Sequence, residues 1–165
     1  VEGRPTGRRE GPTLIRFEKR DLSSRESHVH ASRMSVRFQD VDAAGIVFFA
    51  RYFDYVHLAY EEFLAKNGNR LAEVLREGRW AAPLKHAEAD FLSPLRFGDE
   101  LEVQLVAANA ASSDLSLGWC LRKVSTGKPV TVCGVAQSVH TFVDVPSFEK
   151  RSIPDELLSA LSEIL

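Results

Sequence analysis

The chain has 165 residues, a formal net charge of −2 and a hydrophobic fraction of 44 %. That length suits one domain with a sizeable core, and the near-neutral balance argues against general nucleic-acid binding. No run is long and apolar enough to span a bilayer and no secretory pattern opens the chain, so a cytoplasmic, non-membrane protein is expected. Cys120 and Cys133 are too few for a disulfide framework and sit in no CxxC or Cys/His cluster, so buried free thiols and no metal site are expected.

Charge is unevenly spread along the chain. Residues 1–33 carry eight Lys/Arg against five Asp/Glu, whereas the remainder carries 13 against 18. The first part is rich in Gly, Pro, Ser and Arg, a composition that buries too little apolar surface to order itself. Residues 1–30 are therefore expected to form a flexible extension, with a single domain over 31–165. The only methionine, Met34, stands just before the first strand pattern, so the extension is expected to be dispensable or to precede the natural start.

In chain order, a first strand is expected over 33–39, with Val36 and Phe38 as its apolar positions. An acidic turn follows, carrying Asp40, Asp42 and Gly45. A long helix is then predicted over about 50–67, ending at Asn67-Gly68. Its apolar positions, Phe49, Phe53, Val56, Tyr60 and Phe63-Leu64, recur every three or four residues and define one buried face. A short helix fits 71–76, before Gly78. The rest of the chain is mostly strand. A long segment runs from Trp80 to Leu92, with Pro83 marking an edge or bulge. Leu101, Val103 and Leu105 alternate with polar residues, as do Leu115, Leu117, Trp119 and Leu121. Ser125 to Lys128 reads as a hairpin turn, and Val130 to Val143 as a strand apolar on both faces and therefore central. Pro154 opens an amphipathic helix carrying Leu157, Leu158, Leu161 and Leu165. One long helix followed by consecutive antiparallel strands is an α+β pattern. The sheet's outer face would retain apolar valines, so an oligomer that covers it is expected.

The turn before the helix carries the chemistry. Asp42 lies nearest it, and Gly45 allows a positive φ or a close approach of a ligand. The first N–H groups of a helix lack intrahelical acceptors and are suited to hold developing negative charge. A carboxylate beside such donors can attack a carbonyl or activate water. The Phe49 N–H is the expected donor, with Val47 and Phe48 as neighbours. Asp42 could equally do no more than stabilise the turn or cap the helix, and the residues alone leave both roles open. Asp-x-Asp also opens the haloacid-dehalogenase fold. Here Arg37 and Gln39 break the required buried strand, and no alternating βα pattern follows.

DVDAAGIVFFARYFDYVHLAYEEFL (40–64) and APLKHAEADFLSPLRFGDELEVQL (82–105) together resemble the 4-hydroxybenzoyl-CoA thioesterase family. Within it they look closest to the branch that includes 1,4-dihydroxy-2-naphthoyl-CoA hydrolases. The resemblance covers about 33–145 and implies a hotdog fold, an antiparallel sheet wrapped round one long central helix. It implies hydrolysis of an acyl-CoA, of aromatic character, to free acid and CoA without a cofactor. Asp42 would be nucleophile or base and the Phe49 N–H the oxyanion donor. Gly45, Val47, Phe48, Phe53 and His57 would contact substrate at active sites shared across a homodimer, with dimers pairing into tetramers. His57 occupies the position from which the hydroxybenzoyl enzyme reads the substrate phenol. Glu61 is a second candidate carboxylate, because another hotdog lineage carries its catalytic acid on the helix. The arginines that hold CoA phosphates in the hydroxybenzoyl enzyme fall at Ala111-Ser112-Ser113 here, leaving Lys85, Arg96, Lys123 and Arg51 as alternatives. His86, Glu88 and Asp90 share one face of a strand and are expected to line the substrate mouth or an interface. Two other functions remain open: a thioesterase for carrier-protein or short-chain substrates, and a non-catalytic acyl-binding subunit.

Overall fold

The computed structural model describes residues 16–165. A five-stranded antiparallel sheet is built from β1 (His30–Ser35), β2 (Leu84–Phe91), β3 (Glu100–Ala111), β4 (Asp114–Val124) and β5 (Thr131–Thr141), in the order β1-β3-β4-β5-β2. The long helix α2 (Arg51–Lys66) packs on the inner face, joined by the short α3 (Leu71–Arg76) and by α4 (Asp155–Leu161). Trp119, Leu117 and Leu121 from β4 meet Phe63, Leu64 and Ala59 of α2 in this core. Both pairings that involve β4 are long, from Asp114↔Thr141 to Lys123↔Thr131 on one side and from Asp114↔Ala111 to Val124↔Glu100 on the other. No helix among the described residues is long and apolar enough to cross a membrane.

The alternating strands lie where periodicity puts them. β5 is interior, but the central strand is β4. Pro83 does precede an edge strand, and the register of β2 shifts between Leu84 and His86. The first strand ends earlier than expected, at Ser35, and Phe38–Asp40 is a 3-10 turn. The sequence HASRMS looks polar, yet His30 and Ser32 face inward, where Ser32 Oγ lies 2.9 Å from His30 Nε2 and donates to Glu62. The buried face of α2 is also rotated from the expected one. Tyr52, Tyr55, Val56, Ala59, Tyr60, Phe63 and Leu64 are buried, while Phe49 is exposed and Phe53 only half-buried.

The domain boundary expected at residue 30 needs correcting. Residues 1–15 lie outside the described residues, but 16–29 pack against the sheet's outer face. Lys19–Ser24 form a helical turn, α1, whose Leu22 is 1 % exposed. Leu22 and Phe17 cover Val106, Ala107, Cys120 and Val135. The sheet is hollow at this point. A Cβ on Gly118 would collide with Leu22 and stand 3.1 Å from Phe17 Cδ2 and Ala107 Cβ. Gln137 clasps the arm's backbone: its Oε1 accepts the Phe17 N–H at 2.8 Å and its Nε2 donates to the Phe17 carbonyl at 2.9 Å. The acidic row on β2 serves this arm, with Arg16 at 3.6 Å from Glu88 and Lys19 at 3.4 Å from Asp90. Such exposed pairs contribute little, about 0–1 kcal/mol each. Burial of Leu22 and Phe17 dominates. The chain thus covers part of its own outer face, which removes much of the ground on which an oligomer was expected from those valines.

Candidate active site

The site begins where β1 runs out. Val36 is buried and bonded to the 98–99 turn, its N–H donating to the Asp99 carbonyl at 2.9 Å and its own carbonyl accepting the Gly98 N–H at 3.0 Å. The chain then tightens through Phe38–Asp40 and doubles back, with a bridge between Val41 and Val47. Within the loop, Asp42 N–H donates to the Ile46 carbonyl at 2.9 Å and Gly45 N–H to the Asp42 carbonyl at 3.0 Å. Gly45 closes this turn at φ +73°, a left-handed conformation that a side chain would strain.

The two carboxylates have opposite fates. Asp40 is 1 % exposed, and its Oδ2 accepts the Arg37 N–H and the Tyr55 hydroxyl, each at 3.0 Å. Burial opposes its ionisation. The Arg37 amide, the Tyr55 hydroxyl and the Arg37 guanidinium overcome that and hold the carboxyl below its ordinary range. Tyr55 shows the complementary effect, its hydroxyl pushed up first by burial and then by the bonded carboxylate. Asp40 therefore belongs to the scaffold. Asp42 is exposed; among the described residues its carboxylate accepts only the Ala44 N–H, on Oδ1 at 2.8 Å, and the side chain borders a cleft of about 400 Å³.

This cleft is lined by Asp42, Ile46 to Phe49 and Tyr52 on the first wall and by Phe91 to Leu95 on the segment that meets it. The amides along the first wall are not equivalent. Val47 N–H donates to the Leu95 carbonyl and Phe48 N–H to the Asp40 carbonyl, both at 2.9 Å, so neither is available to a ligand. Among the described residues the Phe49 and Ala50 N–H groups have no acceptor, and the next amide, Arg51, already turns back to the Phe48 carbonyl. Phe49, whose N–H is unclaimed at the positive end of a 16-residue helix, thus lines the same cleft as the exposed carboxylate, with Ala50 next to it in the chain. That juxtaposition suits addition to a carbonyl: an acid to deliver a nucleophile, and donors for the resulting oxyanion.

The Phe48 and Phe49 rings pack with centroids 4.5 Å apart, tilted at 51°, and form the apolar lip. Phe53 and His57 lie elsewhere, in a slot of about 50 Å³ between α2 and β5 that also contains Tyr60, Ser138 and His140. Tyr60 stacks on His140 at 4.5 Å and 17°, and burial lowers the His140 pKa to about 4, keeping the ring neutral. His57 stands at the slot's exposed mouth, 3.0 Å from Glu61. Glu61 itself faces outward onto a different depression beside Leu58 and Glu62, so it is not brought to the Asp42 cleft. Lining residues absent from the expected set are Ile46, Tyr52 and Phe91 to Leu95. Tyr52 packs edge-on to Phe91 at 4.8 Å, and burial raises its hydroxyl to about 12. The apolar period expected for α2 omits it, and nothing in its spacing separates a cleft wall from packing.

A five-stranded antiparallel sheet wrapped on one long helix, with an acidic turn at that helix's N-terminus, is the hotdog arrangement. The chain matches the thioesterase-like superfamily over residues 36–161 and belongs to it. A 1,4-dihydroxy-2-naphthoyl-CoA hydrolase from Nostoc punctiforme is 32 % identical over 127 residues, 77 % of this chain and 82 % of that one. The crystal structure of a 1,4-dihydroxy-2-naphthoyl-CoA thioesterase from Synechocystis superposes with a TM-score of 0.72 at 26 % identity, covering 82 % of this chain and 96 % of that one. The dynemicin thioesterase shares the fold, with a TM-score of 0.75 at 23 % identity over 82 % of this chain and 96 % of that one.

Proposed function

We propose that this protein hydrolyses an aromatic acyl-CoA thioester, of the 1,4-dihydroxy-2-naphthoyl type, to the free acid and CoA. The observation that carries the reading is the exposed Asp42 carboxylate sharing one cleft with Phe49, whose N–H, like that of the following Ala50, has no acceptor among the described residues. The thioester carbonyl oxygen points at those amides. The carboxylate either attacks the carbonyl carbon or takes a proton from a water that does so. In both routes the tetrahedral oxyanion is held by the amides, the C–S bond breaks, and the thiolate of CoA leaves and is protonated. In the first route a mixed anhydride then reacts with water to release the acid and restore Asp42.

Gly45, Val47 and Phe48 shape the thioester end, Val47 and Phe48 through their side chains, since their amides are already bonded. Phe53 and His57 are assigned to the acyl group through a partner subunit. The free edge of β2 supports such a partner: it pairs only with β5 among the described residues and carries exposed Leu84 and Phe91, next to exposed Leu92. An open apolar edge invites pairing with a second copy. A homodimer, or a tetramer of paired dimers, follows from this reading. A cytoplasmic location suits a substrate whose phosphates keep it from crossing membranes.

The test is thiol release from a panel of aromatic, short and long acyl-CoAs. Fastest turnover of hydroxylated aromatic thioesters is expected. Absence of release from every member would overturn the reading in favour of a non-catalytic acyl-binding protein.

A further inference from the structure

Four basic side chains were open candidates for the phosphates of the substrate, and the structure separates them. Lys85 is 2.8 Å from Asp114, Arg51 is 2.7 Å from Asp54 and Lys123 is 3.4 Å from Asp99. Each already has a carboxylate to neutralise it. Arg96 has no acidic partner within ion-pair distance of its guanidinium among the described residues; its bonds are made by the backbone, the N–H donating to Asp99 Oδ2 at 2.8 Å and the carbonyl accepting the Asp99 N–H at 3.0 Å. Its position is also distinctive. It directly follows Leu95 of the cleft wall, and its Nη1 would stand 3.9 Å from a Cβ placed on Gly45, so the guanidinium rests on the turn that presents Asp42.

The residue after it is Phe97, 63 % exposed, which meets the 77 % exposed Phe38 edge to face at 5.9 Å. Two large aromatic rings left in water, one of them next in sequence to a guanidinium that rests on the Asp42 turn and has no acidic partner among the described residues, form a combination with a recognisable use. Guanidinium binds phosphate through charge-assisted, often paired hydrogen bonds, and aromatic faces take up nucleobases. We propose that Arg96 binds a phosphate of the substrate's coenzyme A at the mouth of the cleft, with the Phe38–Phe97 pair as the platform for its adenine. This rests on the acyl-CoA reading above. It supplies an anchor for the nucleotide end at a place unrelated to residues 111–113.

The experiment compares thioesters of one acyl group on three carriers: coenzyme A, 4′-phosphopantetheine and pantetheine. Arg96 is exposed, so Arg96→Ala should melt like the parent. Its KM for the CoA thioester should rise about tenfold with kcat unchanged, the signature of binding energy shared by ground and transition states. KM for the pantetheine thioester, which has no phosphate, should stay the same, and Arg96→Lys should recover part of the loss. Phe97→Ala should raise KM for the CoA thioester alone. An equal rise for the pantetheine thioester would assign Arg96 to the arm and overturn the proposal, as would a KM indifferent to Arg96→Ala. A rise for phosphopantetheine matching that for CoA, with no effect of Phe97→Ala, would remove the nucleotide site and favour a carrier-protein donor. If the parent protein hydrolyses none of the three, the acyl-CoA reading itself falls; hydrolysis of all three with no effect of Arg96→Ala fails the anchor alone.

Discussion

Asp40 and Asp42 are the same side chain two residues apart, and the contrast between them explains the site. Asp40 is sealed under the 3-10 turn, where it accepts the Arg37 N–H and the Tyr55 hydroxyl. Asp42 stands beyond it in the open cleft with a single local bond to Ala44. The first is fixed so that the second can be presented. The Asp40 carbonyl also takes the Phe48 N–H, which leaves Phe49 as the first unclaimed amide of the wall. A carboxylate's place in the hydrogen-bond network, and not its acidity in isolation, decides whether it supports or reacts.

Substitutions can break this contrast from either side. Asp42→Asn should lower kcat about a thousandfold, about 4 kcal/mol in barrier, while the melting temperature stays unchanged. A steady-state assay beside a thermal melt checks both halves, and near-native turnover would remove Asp42 from the chemistry. Asp40→Ala should do the reverse. Loss of a buried, bonded carboxylate leaves the Tyr55 hydroxyl without its acceptor and should cost about 3 kcal/mol of stability by denaturant titration, while folded protein keeps most of its turnover.

Acid titration sharpens the comparison. His140 is held neutral at a pKa of about 4 against an ordinary 6.5, so between those values the unfolded chain binds the additional proton. Stability should therefore fall as pH drops from 6.5 to 4, by an amount on the order of 2 kcal/mol, and His140→Gln should flatten that slope. Asp40 acts at lower pH. Its contribution is complete above its ordinary 3.8 and is lost as pH falls from there through its depressed folded value. The smallest change is Tyr55→Phe, which removes one buried hydrogen bond to Asp40 and should cost about 1 kcal/mol in the same titration.

Local chemistry was legible in the sequence wherever the effect was local. Alternation in Leu101–Leu105 and Leu115–Leu121 reports the inner face of β3 and β4 directly, because side chains on a strand alternate across the sheet. The Asp42–Gly45 turn and the Asn67-Gly68 stop lie in the structure where the residue types put them. What escaped depends on distant partners. β1 hides behind His30 and Ser32, which are buried because Glu62 of α2 bonds the Ser32 hydroxyl. Phe91 to Leu95 become a cleft wall only when the end of β2 is set against Tyr52. The arm looked too polar to pack, and its order comes from a hollow at Gly118 that no reading of residues 16–29 alone contains.

That hollow also dictates a sequence of events in time. The clasp between Phe17 and Gln137 joins positions 120 residues apart, and the seat beneath Leu22 exists only once β3, β4 and β5 are in register. The arm precedes these strands in the chain, so it has nothing to close upon until they have been made. Docking thus follows formation of the sheet and closes a long loop, and undocking is an opening that need not disturb the sheet. Amide exchange at α1 should outpace that of β4 for this reason, the arm closing after the sheet it covers and opening before it.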